Sequence, residues 1–401
     1  MKIIPRRTAA SRSCVAAAFL VAIALSGCAV SPAPAPRSLA ESSATPMPVY
    51  VAEPGFPQPS GVRFDTVSWV ERDPRTGFLQ VLQRADPVVS VWAPDGRLVS
   101  TWPATGTLGD PHSLAIHAAP DGSTQVWITD MAPPQPAGPA FGHCLKRFTP
   151  EGRLAATLGT CGQNSQGTGL DPVQFDKVTD VAWNAAGQLL VTDGDVGGLN
   201  NRVLRLDAAG RVLAHWSAPG DRPGNGPGEF NLPHAAVVDR CDRLWVADAL
   251  NHRVQVIDAT GRPVGSLDGF GALGVYALAF GPRLASPARQ VLFVGASPSA
   301  GGGVGNVSLF AVPMDCAATA PAALPAAAAA SAASGLVDPT GLSGLRPFTR
   351  FDVPLPASSS TTLLHAMAVD PVTWDVYLAV LGTGVPPAKW TATWPSGRPR
   401  P

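Results

Sequence analysis

The stretch from Asn231 to Leu267, NLPHAAVVDRCDRLWVADALNHRVQVIDATGRPVGSL, holds four short apolar runs in one unit. These runs, HAAVV, RLWVAD, HRVQVID and GRPVGSL, are rich in Val, Ile and Trp. The third alternates, with Val254 and Val256 on one side and Arg253 and Gln255 on the other. Period-two runs this short, separated by Asp, Gly and Pro, predict strands of an antiparallel meander. Asp258-Ala259-Thr260-Gly261 supplies the last turn, where glycine can take a positive φ. The Gly- and Pro-rich lead-in GNGPGEFNLP suits a loop crossing between units.

The unit recurs. Its Gly-Arg turn appears as Gly96-Arg97, Gly152-Arg153, Gly210-Arg211 and Gly261-Arg262, and its second strand closes on Asp130, Asp193 and Asp248. Four-stranded repeats at this spacing are what the blades of a β-propeller look like in sequence. Six blades can be counted: residues 62–103, 112–159, 178–216, 231–267 and 273–316, then a sixth carrying LLHAMAV and WDVYLAVLG. The expected fold is therefore an all-β, six-bladed propeller of four-stranded antiparallel blades over residues 62–390. An Ala/Pro-rich insertion, 317–335, is expected between blades 5 and 6, and a flexible tail over 391–401. The outer strands of blade 6, and with them the closure of the ring, are not assignable from sequence.

Ahead of the repeats, residues 1–27 predict a targeting segment: a basic start with Lys2, Arg6, Arg7 and Arg12, then the apolar stretch Val15–Leu25. Leu25-Ser26-Gly27-Cys28 resembles the bacterial lipobox, which implies an acylated Cys28 anchored in lipid without a spanning helix. Ala29, in place of Asp, points to the outer rather than the inner membrane of a cell envelope. Residues 28–61, rich in Pro, Ala and Ser, are expected to be a tether. Charges balance at 29 basic against 29 acidic, with four of the basic ones in the leader. No Lys/Arg run exists, so nucleic acid is excluded as a partner. A monomer is expected, whose partners are membrane lipid and either a small carboxylated or peptide substrate or an envelope protein. Cys144, Cys161, Cys241 and Cys316 form an even set suited to two disulfides in an oxidising compartment. The first two flank one hairpin, and the others fall in turns on one face of neighbouring blades.

Three of the seven histidines occupy one repeat position, at the start of an innermost strand: His112 in DPHSLAI, His234 in LPHAAVV and His365 in LLHAMAV. They fall in alternate blades, 120° apart in a six-fold ring, so their side chains are expected to converge on the axis. Three imidazoles with an open fourth position make a catalytic zinc arrangement. His117, His143, His215 and His252 share no such phase and are expected to be structural or exposed.

The segment GNGPGEFNLPHAAVVDRCDRLWVADALNHRVQVID, with its Asn251-His252-Arg253-Val254 core, resembles the NHL repeat. Within that superfamily the three histidines are similar to those of the peptidyl-α-hydroxyglycine α-amidating lyases. The resemblance spans roughly residues 65–380 and implies a zinc-dependent lyase that releases glyoxylate from a C-terminal α-hydroxyglycine. It implies zinc ligation by His112, His234 and His365, and a substrate-site role for Arg84 in VLQRADP. Three positions depart from the family pattern. Asp195 stands where the catalytic tyrosine is expected, Ala249 where a second arginine is, and Ala366 where an aspartate holds a structural calcium. Asp195 is the candidate proton acceptor in the tyrosine's place, and calcium loses a ligand.

Overall fold

The computed structural model describes residues 48–394, apart from 103–105, 120, 133–139, 166–168, 285–288, 299–302, 315, 317–341, 343–344 and 357–361. The expected leader, Cys28, the first part of the tether and the insertion at 317–335 lie outside the described residues.

A short strand, β1 (Val49–Ala52), precedes the first complete blade: β2 (Val67–Arg72), β3 (Leu79–Gln83), β4 (Val89–Trp92) and β5 (Leu98–Trp102). Blade 2 is β6 (Pro111–Ala118), β7 (Thr124–Asp130), β8 (Cys144–Phe148) and β9 (Leu154–Leu158). Blade 3 is β10 (Val178–Trp183), β11 (Leu189–Asp193), β12 (Arg202–Leu206) and β13 (Val212–Ser217). Blade 4 is β14 (Pro233–Val238), β15 (Leu244–Asp248), β16 (Arg253–Ile257) and β17 (Pro263–Leu267). Blade 5 is β18 (Gly274–Leu284), β19 (Arg289–Ser297), β20 (Gly303–Pro313) and β21 (Thr349–Leu355), and blade 6 contributes β22 (Leu363–Val369), β23 (Val376–Leu381) and β24 (Ala388–Thr393). Each of the six sheets has four antiparallel strands, so the protein is a six-bladed β-propeller.

Three boundaries differ from expectation. β1 pairs with β24, Val49 opposite Thr393 and Ala52 opposite Trp390, so the N-terminal strand completes the last blade and closes the ring. Residues 49–61 are therefore not all tether, and 391–393 are not tail. The anchor is Tyr50, buried and stacked on Phe351 with ring centroids 4.5 Å apart, while Val49 and Val51 face solvent. One buried side chain in a four-residue run leaves little periodicity to read. The Ala/Pro-rich segment falls inside blade 5, between β20 and β21, and not between blades 5 and 6. The fourth strand of blade 5 is consequently displaced well beyond the repeat's usual spacing.

Burial follows strand position. The second strands β3, β11 and β15 are buried at every residue, whereas the outer strands β5 and β9 are largely exposed. Two-sided burial explains why β11 and β15 open on continuous apolar runs, LLV and LWVA, rather than alternating ones. The Gly-Arg turns behave as their chemistry requires. Gly261 sits at φ 93, and Asp258 Oδ1 accepts from the backbone N–H groups of Thr260 and Arg262. The disulfides are Cys144–Cys161, across one hairpin, and Cys241–Cys316, between turns of neighbouring blades.

Candidate metal centre

The aspartates that end the second strands set the approach to the channel. Asp130 accepts from the N–H groups of Gly109 and Asp110 and pairs with Lys146 at 2.6 Å. Asp193 accepts from the N–H of Asp176 and pairs with Arg202 at 2.9 Å. Asp248 accepts from the N–H of Asn231 and pairs with Arg253 at 2.7 Å. In these three blades a buried carboxylate thus ties the incoming loop to the strand beside it, and charge-assisted bonds of this kind are the strong ones. The device fixes where β6, β10 and β14 begin.

All six innermost strands then carry a register irregularity at their first or second residues. The residue left out of register is His112 (with Ser113), His234 or His365 in the even blades, and Ser68, Thr179 or Tyr276 in the odd ones. A bulge frees a carbonyl from the ladder and re-aims the side chain. Both effects are used here. His112 Nδ1 lies 2.8 Å from Thr179 O, His234 Nδ1 2.7 Å from Tyr276 O, and His365 Nδ1 2.6 Å from Ser68 O. Each even-blade imidazole is therefore held by the bulged carbonyl of the next odd blade.

A carbonyl oxygen only accepts, so each Nδ1 carries the proton and each Nε2 presents a lone pair. One ring nitrogen of each histidine lies within 4.8 Å of the others. His234 Nε2 is 3.1 Å from His365 Nε2, and His112 Nε2 is buried without a hydrogen-bond partner. Two lone pairs facing at that distance repel unless a cation sits between them. Burial pushes the pKa of His112 and His365 well below the usual imidazole value, followed by the neighbouring imidazoles and the charge of Arg84. His234 is lowered too, chiefly by burial. Neutral, pre-oriented imidazoles with free Nε2 atoms are the donor set of a three-histidine metal site, so the residues present fit a divalent ion.

Asp195 and Arg84 both reach this mouth. Asp195 Oδ2 is 3.8 Å from His112 Nε2, and Asp195 Oδ1 also accepts from its own loop at Val196 N. Arg84 pairs with Asp110 at 2.9 Å, with both side chains about 30% exposed (27% and 31%). Ala249 is fully buried against Leu232 and Tyr276, so apolar packing stands where a second cation was sought. Ala366 is likewise fully buried, in β22. The other histidines have structural partners. His143 contacts Asp176 at 3.2 Å, His215 contacts Asp221 at 2.7 Å, His252 bonds Leu273 O, and His117 stacks on Trp183.

Sequence reading missed Ser68, Thr179 and Tyr276, which hold the imidazoles, and Trp69, whose ring centroid is about 6 Å from all three (6.0, 6.2 and 6.0 Å). Ser68, Thr179 and Tyr276 share the histidines' repeat phase in the odd blades, a signal present in sequence but masked by their dissimilar side chains.

No family model matches the chain. NHL repeat-containing protein 3 of Mus musculus is 36% identical over 224 residues, covering 55% of this chain and 60% of that protein. The Homo sapiens protein of the same name is 34% identical over 212 residues, covering 52% and 57%. The match thus spans less than two thirds of either relative's length. A solved structure described as "Streptogramin B lyase structure" is 11% identical, with a TM-score of 0.48 over 86% of this chain and 98% of that one. The chain is a six-bladed β-propeller that is similar, over about half its length, to NHL repeat-containing protein 3.

Proposed function

We propose that the protein is a metal-dependent propeller of the cell envelope, in which His112, His234 and His365 hold one zinc ion. On this reading the mouth beside Arg84 and Asp195 receives a small carboxylated or peptide substrate. The observation that carries it is the convergence of three buried Nε2 atoms whose Nδ1–H groups are each locked on a backbone carbonyl. Bound zinc would supply Lewis acidity at the channel mouth. Arg84 binds a substrate carboxylate by exchanging it for Asp110, its present partner. Asp195, partly exposed beside His112, accepts a proton from the substrate.

The chemistry departs from that of the peptidyl-α-hydroxyglycine α-amidating lyases. Asp195 replaces a tyrosine, and the buried Ala249 leaves a substrate carboxylate with Arg84 alone. General-base catalysis is typically worth about 10²- to 10⁴-fold, so turnover of an α-hydroxyglycine peptide is expected to be absent or very weak. The same two features favour a second reading, a propeller that binds ligand or an envelope protein without catalysis.

Elemental analysis of the purified domain should find one zinc per chain, lost in His234→Ala. Absence of stoichiometric metal, or its retention in that variant, refutes the site. Glyoxylate release by the zinc-loaded protein separates the two functions. Robust turnover abolished by Asp195→Ala would establish aspartate as the working base and overturn the expectation of weak activity.

A further inference from the structure

Trp69 lines a second chamber of the central channel, with a volume of about 330 Å³. All six innermost strands contribute to its wall, whereas none of the three histidines does. Its walls include Trp69, Trp183, Phe280 and Met367, and two carboxylates face it, Glu71 from blade 1 and Asp180 from blade 3. The volume lies at the lower end of the range of small-molecule pockets, about 300–1,000 Å³.

We propose that this chamber binds a small organic cation, an ammonium group carried on an apolar or aromatic body. Among the described residues Glu71 has no hydrogen-bond or ion-pair partner, and no Lys, Arg or His lines the chamber. The adjacent Arg72, which lines a neighbouring cleft, is committed to Asp370 at 3.1 Å. Asp180 accepts from the backbone N–H groups of Val181 and Ala236, at 2.8 and 3.0 Å, which orients its carboxylate without supplying a cation. Two acidic groups without a counter-charge, in a wall of aliphatic side chains with the Trp69, Trp183 and Phe280 rings, attract a cation that can also give up its water.

An ammonium on an apolar body meets both demands, through charge-assisted bonds to the carboxylates and cation–π contact with the rings. A hard metal ion meets only the first. Calcium takes about 6–8 oxygen ligands, whereas this wall offers two carboxylates among apolar side chains. Among the described residues, the only group of three or more metal-ligating side chains close enough to share an ion is the histidine triad. The proposal does not depend on zinc or on chemistry at the other mouth.

Phenethylamine is a suitable probe, with 2-phenylethanol as its neutral counterpart and calcium chloride as the competing hard cation. Titration calorimetry on the wild-type protein at pH 9, where Glu71 and Asp180 are both ionised, should show saturable one-to-one binding of the amine. The alcohol should bind at least tenfold more weakly, and Glu71→Gln should weaken the amine roughly 10- to 100-fold, the scale of a hydrogen bond to a charged group. No saturable amine binding, equal binding of the alcohol, displacement of the amine by stoichiometric calcium, or an unchanged affinity in Glu71→Gln overturns the proposal. If Glu71→Gln does not fold, the comparison of amine with alcohol on the wild-type protein decides alone.

Discussion

Replacing Glu71 by glutamine should stabilise the propeller above neutral pH and leave it unchanged near pH 5. Burial, and then the negative charge of Asp180, raise the Glu71 pKa from 4.5 to about 8. Asp180 is itself raised to about 7, by burial against the pull of its two backbone donors and Ser113. Between pH 4.5 and about 8 the folded protein holds a proton on Glu71 that the unfolded chain has released. Stability therefore falls as pH rises through this window. It is greatest below the unfolded pKa and lowest above the folded one. The charged groups on the packed elements are few. Asp180 faces Glu71 from β10, Arg72 is turned to Asp370, and the remaining wall is apolar.

One pKa unit corresponds to about 1.4 kcal/mol, so a shift of this size is worth about 5 kcal/mol at most. Glu71 is only part-buried and opens on a solvent-sized chamber, which reduces the expected gain to about 2 kcal/mol. For a domain of this size that is a rise in melting temperature of roughly 3 °C at pH 9. Thermal and urea unfolding at pH 5, 7 and 9 measure it. Wild type and Glu71→Gln should coincide at pH 5 and diverge with rising pH. A constant offset at all three pH values, or a less stable variant at pH 9, would refute the linkage. Asp180→Asn serves as a contrast: it also removes a charged acceptor from two backbone N–H groups, so its gain should be smaller or reversed.

Asp248→Ala should destabilise by about 3 kcal/mol, because it leaves the Arg253 guanidinium only its backbone acceptors and frees the Asn231 N–H; a loss under 1 kcal/mol in urea unfolding would contradict the clamp. Removing the Cys241–Cys316 bridge, which spans 75 residues, should cost about 4 kcal/mol, against about 3 for the 17-residue Cys144–Cys161 loop. The order of the two losses, measured by thermal unfolding of paired Cys→Ala variants, tests this. Cys28→Ala should release the protein from membrane fractions, and a variant that sediments with membranes as wild type does argues against lipid anchoring.

The repeat was readable because its signals are local. Gly-Arg turns, Asp-closed second strands and short Val/Ile-rich runs each report on a few neighbouring residues, and together they give the six blades. Ring closure was not readable, since β1 and β24 are more than 330 residues apart and β1 is held by one buried residue, Tyr50. Blade 5 failed for a related reason. Its fourth strand follows the Ala/Pro-rich stretch, and alternation in TRFDVPL is too weak to point across such a gap.

The candidate site divides along the same line. A shared phase brought out His112, His234 and His365 because three like residues in one column stand out. The column of their partners holds Ser68, Thr179 and Tyr276, whose contribution is a backbone carbonyl that any residue possesses. What selects these positions is the bulge, and a bulge with its pattern of pairing is a property of two strands, not of one. The side-chain hydroxyls reinforce it: Ser68 Oγ donates to Pro111 O and Thr179 Oγ1 to Pro233 O, each the carbonyl preceding a histidine. At His112 and His234 the odd and even blades are thus locked to each other on both sides of the imidazole. The channel also carries Glu71, which no motif marks, because its character comes from what surrounds it: Asp180 and Trp183 arrive on β10, a strand two blades away along the chain. Residues that act through their own side chains leave a pattern in sequence, while residues that act through a carbonyl or a shared field become visible only when the ring is closed.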